Sequence, residues 1–180
     1  FQAAGIPLIF QHQVNIIHDG VDLNFFSPGP SQYFNRSSLG LSSETPILVY
    51  ATRGMEPQRA FPQFMAALSI VQETHKDVHC IIAGKDEIHY SKPLPKGETW
   101  KTKCLSEFSF DSDRIHWVGQ LQLQRFRDLL RMADVHVSLT DPFILSWSTI
   151  QSMACGSAMI ISDNVTMREA LPKNDMAIHV

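Results

Sequence analysis

Nothing in the 180-residue sequence approaches the roughly 20 consecutive apolar residues that a membrane-spanning helix needs. Cysteine is scarce. Cys80, Cys104 and Cys155 lie far apart with no C-x-x-C pair, which excludes a zinc ribbon and a disulfide framework. The odd count fits a reducing compartment, and Cys80 and Cys155, set in apolar runs, read as small buried hydrophobes. Positive charge is also in short supply: 15 Lys and Arg against 18 Asp and Glu leave a formal charge of -3, which excludes a general nucleic-acid binder but not a local grip on a small anion. No G-x-G-x-x-G follows the first strand, and no G-x-x-x-x-G-K-[ST] or G-x-S-x-G occurs. An ordinary dinucleotide site, a P-loop and a hydrolase elbow are therefore absent. Internal repeats and low-complexity tracts are missing as well. No secretory leader is visible, but FQAAGIPLIF lacks an initiator Met, so the chain reads as a piece of something longer and the missing leader excludes little.

What is present is a core and a rhythm. A hydrophobic content of 44% in 180 residues is ordinary for a globular chain and enough for one full core. Residues 1–45 read as an irregular lead-in that holds one short apolar strand, VNIIHDGVD (14–22), and then a loop rich in Ser, Pro, Gly and Asn. From residue 46 strand and helix signals alternate. The strands are PILVYATR (46–53), VHCIIAG (78–84), RIHWVG (114–119), VHVSLT (135–140), AMIIS (158–162) and MAIHV (176–180), where the chain stops. Continuous apolar runs of this kind suit strands buried on both faces. Between them, Phe61, Phe64, Met65, Leu68 and Val71 form one helical stripe, with Pro62 tolerated in its first turn. Trp100, Cys104 and Phe108 make a second stripe, Phe126, Leu129, Leu130 and Ala133 a third, and VTMREAL (165–171) a short helix. The Pro-rich YSKPLPKGE reads as a surface excursion. The fold class is α/β: a Rossmann-like, doubly wound parallel sheet of about six strands with helices on both faces, over residues 46–180 and truncated at its carboxyl end. Ligands of such sheets bind beyond the carboxyl ends of the strands, so the loops at 53–59, 84–86, 119–122, 141–148 and 163–165 are the ones to search.

Three stretches there can carry chemistry. TRGMEPQRAF (52–61) ends a strand with Arg53 and approaches a helix with Arg59. Guanidinium groups bond phosphate oxygens in pairs, and a helix start adds free N–H groups and about half a positive charge. Read alone, two solvated arginines, one paired to Glu56, fit equally well. LSWSTIQSMACGSAMIISD (145–163) opens a helix at Ser146 or Ser148, either of which can cap it. Its Gln151 can reach a sugar hydroxyl or simply face solvent, Trp147 reads as a packing residue, and Gly156 stops the helix. WVGQLQ (117–122) offers backbone groups that can read a base edge. Eight histidines are scattered; His18, in HDGVD, is read through turn chemistry, since Asp-Gly favours tight turns.

Taken together, IIHDGVDLNFFSP, TRGMEPQRAF and QSMACGSAMIISD resemble three signatures of one family: the carboxyl-terminal, donor-binding domain of the group 1, family four retaining glycosyltransferases, which have the GT-B fold. The first is similar to that family's interdomain segment. The resemblance implies a nucleoside diphosphate sugar as donor, no metal, a glycan or lipid-linked acceptor, and an amino-terminal domain that this chain lacks. It also implies polysaccharide biosynthesis in the cytoplasm, with room for attachment at the inner face of a membrane. On this resemblance Arg53 and Arg59 are the catalytic pair that holds the diphosphate, Arg59 standing where Lys is commoner. Leu145, Ser146, Trp147 and Ser148 fall where backbone amides meet phosphate and sugar, and Gly119, Gln120 and Leu121 on the base-reading loop. Gln151 falls on the second Glu of a pair that contacts the ribose, while Phe143 stands at the first. Gln still forms hydrogen bonds but lacks the charge that roughly doubles their strength. Two other readings stay open: a degenerate nucleotide-binding or scaffold module, and a sugar-nucleotide epimerase of the same fold.

Overall fold

Six strands alternate with helices and assemble into one parallel sheet. The strands are β1 (Ile47–Gly54), β2 (His79–Lys85), β3 (Ile115–Gly119), β4 (Val135–Ser138), β5 (Ala158–Ile161) and β6 (Ala177–His179). The helices are α1 (Leu8–Gln11), α2 (Phe61–Thr74), α3 (Trp100–Glu107), α4 (Leu123–Met132), α5 (Trp147–Ala154) and α6 (Val165–Ala170). The computed structural model describes residues 5–141, 144–171 and 177–180; Phe143 and Met176 lie outside them. The spatial order is β3-β2-β1-β4-β5-β6, with every neighbouring pair parallel. The chain winds outward from β1 through β2 to β3, then crosses back to lay β4 on the other side of β1. That reversal is the switch point at which such sheets open a crevice.

Successive residues of β1 face opposite layers. Tyr50 joins Phe64, Met65 and Leu68 of α2 and Cys104 of α3 in one cluster. Ile47, Val49 and Ala51 join Leu129 and Met132 of α4 in another. A third unites Met159 and Ile161 of β5 with Met167 of α6 and Leu171. Cover on both faces is why the strands read as unbroken apolar runs. Each fully buried Leu, Ile, Phe or Met contributes about 1.5–3 kcal/mol by leaving water. The three cysteines are buried free thiols, and burial pushes that of Cys104 up to about 11. Among the described residues no helix is long and apolar enough to cross a membrane.

The lead-in departs from expectation. Residues 14–22 form no strand. No neighbouring strand takes up their N–H and C=O groups, and Ile17 is 89% exposed. The turn expected at Asp19-Gly20 falls instead at Asp22, whose carbonyl accepts the Phe26 N–H at 2.8 Å and whose Oδ1 accepts that of Asn24 at 2.9 Å. The later part of the segment packs against the sheet domain. Phe26 and Phe34 are buried, and the buried Asp128 of α4 accepts the backbone N–H groups of Gln32 and Tyr33. Burial opposes the Asp128 charge, but the Tyr33 N–H, the Arg127 guanidinium and the Gln32 N–H outweigh it and hold the carboxyl below its ordinary range. β4 also stops two residues earlier than expected. The Thr140 N–H leaves the ladder for the Ser162 hydroxyl, at 2.9 Å, and the Thr140 hydroxyl donates to the Gln58 carbonyl, at 3.1 Å.

Candidate functional site

The carboxyl ends of β1 and β2, the loop after β3 and the start of α5 enclose a pocket of about 600 Å³ at the switch point. That volume is within the range of small-molecule sites. Gly84 makes the floor: its φ is +137°, and a Cβ there would lie 2.1 Å from the Thr52 carbonyl oxygen, so only glycine lets β1 and β2 approach this closely. Arg53 and Arg59 both line the pocket. Arg53 is exposed and makes no ion pair among the described residues.

Arg59 is set by its surroundings. It ends the short 3-10 turn Pro57–Arg59, and Ala60 then adopts a left-handed φ of 50° before α2 begins. Buried Tyr50 donates its hydroxyl to the Arg59 carbonyl at 2.7 Å, and burial drives that phenol's pKa far up, so it remains a donor. The guanidinium reaches towards the Thr140 hydroxyl, Nη1 to Oγ1 3.5 Å, and its carbon lies 5.4 Å from the centre of the Tyr90 ring. Glu56 does not pair with either arginine as a surface carboxylate. It is fully buried, and its Oε2 accepts the N–H groups of His89, Tyr90 and Ser91 at 3.2, 2.8 and 2.7 Å.

The start of α5 brings Leu145, Ser146, Trp147, Ser148 and Gln151 to the same pocket. Neither serine caps the helix. Ser146 occupies the N-cap position without a side-chain cap, and its hydroxyl bonds that of Ser148 at 2.9 Å. By contrast, Thr99 caps α3 and Asn164 caps α6. The buried Ser138–Thr149 hydroxyl pair, 2.6 Å, fastens α5 to β4 and so fixes where the tip sits. Trp147 is no packing residue: it is 64% exposed, and its Nε1 donates to Asp19 of the lead-in at 2.7 Å. Gly156 has a φ of +81° just past the helix, as a stop residue requires.

Gln120 and Leu121 line the pocket; Gly119 does not, and serves as the turn that leads into them, with a φ of +63°. The loop after β5 also stays out, Asp163 being engaged with Arg168. Thr52, Gly84, Tyr90 and Asp19 are among the further lining residues, and none of them was singled out from sequence. Of these, Gly84 had a signal, a glycine ending an apolar strand. Tyr90 is hidden in a Pro-rich stretch that reads as pure surface. His18, next to Asp19, lies 3.2 Å from the Glu169 carboxylate. Among the described residues no group of three His, Cys, Asp or Glu side chains gathers as a metal site.

A family model described as glycosyl transferases group 1 matches residues 45–180, well over half of the chain. No curated protein sequence matches it. Among solved structures, sucrose-phosphate synthase from Thermosynechococcus elongatus superposes with a TM-score of 0.70 at 19% identity, over 89% of this chain and 38% of that one. Anabaena HepE in complex with UDP-glucose gives 0.72 at 15% identity, over 92% of this chain and 43% of that one. The C-terminal domain of LpcC, a glycosyl transferase group 1 family protein from Francisella tularensis, gives 0.67 at 15% identity, over 89% of this chain and 80% of that one. The chain therefore spans about two fifths of the length of the synthase and of HepE. At these identities the superpositions establish the fold, and the family rests on the matched residues. The chain belongs to the group 1 glycosyl transferases, and its sheet is that of the carboxyl-terminal half of the GT-B fold.

Proposed function

We infer that this chain is the donor-binding half of a retaining glycosyltransferase, which moves a sugar from a nucleoside diphosphate sugar to a glycan or lipid-linked acceptor. One observation carries the reading: Arg53, Arg59 and the uncapped start of α5 converge on a single pocket. A pyrophosphate suits that triangle. Guanidinium groups bond its oxygens bidentately, and the helix start offers N–H groups and a partial positive charge. As the sugar–phosphate bond breaks, negative charge grows on the departing diphosphate, and fixed cations stabilise the transition state more than the bound donor. The two arginines supply that charge without a divalent metal. Gln120 and Leu121 then receive the base, and the Gln151 amide donates to or accepts from a ribose hydroxyl. The fold shared with HepE, whose structures contain UDP-glucose and UDP, supports a nucleotide-sugar donor.

Calorimetry of the chain with UDP, GDP and ADP tests the reading. At least one should bind, EDTA should leave the affinity unchanged, and Arg53→Ala should weaken binding about tenfold or more, the size expected for losing a hydrogen-bonded charge. Failure of all three nucleotides to bind would refute a donor site. Gln151, standing where the family has Glu, supports a second reading as a non-catalytic scaffold module, and that outcome would favour it.

A further inference from the structure

The loop that follows β2 lies against the end of β1 along its whole first half. Gly54 has no room for a side chain: a Cβ there would lie 2.6 Å from the Glu87 carbonyl oxygen and 2.6 Å from the His89 ring. The Met55 N–H donates to the Lys85 carbonyl at 3.1 Å, and the Gln58 N–H to the Ser91 hydroxyl at 3.1 Å. Between these, one oxygen of the fully buried Glu56 gathers three successive N–H groups, those of residues 89, 90 and 91. A carboxylate that accepts two or three backbone N–H bonds is a strong, directional anchor. What it anchors is Tyr90, a pocket-lining residue that is 46% exposed and whose ring faces the Arg59 guanidinium at 5.4 Å. A guanidinium bonds phosphate as a flat fork, so its usefulness depends on the plane in which it is held. An aromatic face is what holds such a plane without consuming its N–H donors.

We propose that Glu56 and Tyr90 are positioning residues that act in series on Arg59: the buried carboxylate sets the loop, the loop sets the ring, and the ring sets the guanidinium towards a diphosphate. This rests on the donor-pocket reading above and deepens it. Neither residue needs to touch the reacting atoms, and the effect is confined to the phosphate end of the ligand.

Titration of the chain with UDP and with inorganic pyrophosphate tests the relay. Tyr90→Ala should weaken both ligands by about five- to tenfold, a loss of the order of one cation–π contact. Tyr90→Phe, which keeps the ring, should stay within about twofold of the parent. In an Arg59→Ala background, Tyr90→Ala should change nothing further, because the residue it acts through is gone. Glu56→Ala should match Tyr90→Ala. Glu56→Gln retains one carbonyl oxygen for the three N–H donors; it should recover most of the affinity and serves where the alanine variant fails to fold. Unchanged affinity in Tyr90→Ala, or an undiminished effect of Tyr90→Ala when Arg59 is absent, overturns the relay and leaves the donor pocket standing. No binding of UDP or pyrophosphate by the parent chain overturns both.

Discussion

His136 is completely buried in β4, and neither of its ring nitrogens has a hydrogen-bond partner among the described residues. Burial lowers its pKa from 6.5 to about 4. Between those values the unfolded chain binds a proton that the native chain refuses, so the stability tied to this group is whole above about pH 6.5 and shrinks as the pH falls towards 4. The loss amounts to roughly 3 kcal/mol at most. His79 and His116, whose pKa values burial also lowers, add to the slope in the same sense. His136→Leu should therefore flatten, without abolishing, the dependence of the urea midpoint on pH between 4.5 and 7, and should cost little at neutral pH because it removes an unsatisfied polar group. At this scale the sequence was legible for cations and opaque for their supports. Arg53 announces itself by charge at a strand end, and Arg59 by charge at the approach to a helix. Glu56, between them, reads as a surface carboxylate, because nothing in the local sequence says that three N–H groups from more than thirty residues away will bury it.

Elements follow from pattern wherever a neighbour completes them. The five strands before β6 and the helices from α2 onwards stand where apolar periodicity puts them, within a residue or two at the ends. The segment at 14–22 has the right composition for a strand and no partner, and composition alone builds no ladder. Close approach between elements is equally invisible to periodicity. β1 and β2 meet at the pocket floor through Gly84, so Gly84→Ala should lower stability by about 2–3 kcal/mol or more, through a backbone clash added to a disfavoured φ. Gly97, with a φ of +91° and nothing within 4 Å of an added Cβ, provides the control: Gly97→Ala should cost only about 1 kcal/mol, for conformation alone. Thermal unfolding of the two variants side by side measures the difference, and nucleotide titration of Gly84→Ala should show the pocket weakened along with the sheet.

For the whole molecule, under the proposed function, a pocket that grips a diphosphate from one side is only part of what transfer requires. An acceptor has to be held against the sugar in the right orientation, and proximity of that kind supplies a large share of the rate. The 180-residue chain should accordingly bind a nucleoside diphosphate yet release it from a nucleotide sugar, acceptor present, at least about 100-fold more slowly than a protein that also contains an acceptor-binding domain. A coupled assay for free nucleoside diphosphate makes that comparison. The lead-in gives the pocket a further property. Its His18 and Asp19 are tethered to Glu169 of α6 and Trp147 of α5, on either side of β5 in sequence, and Asp19 stands in the pocket wall itself. Through these two contacts the posture of the lead-in and the position of Asp19 in the pocket wall are linked.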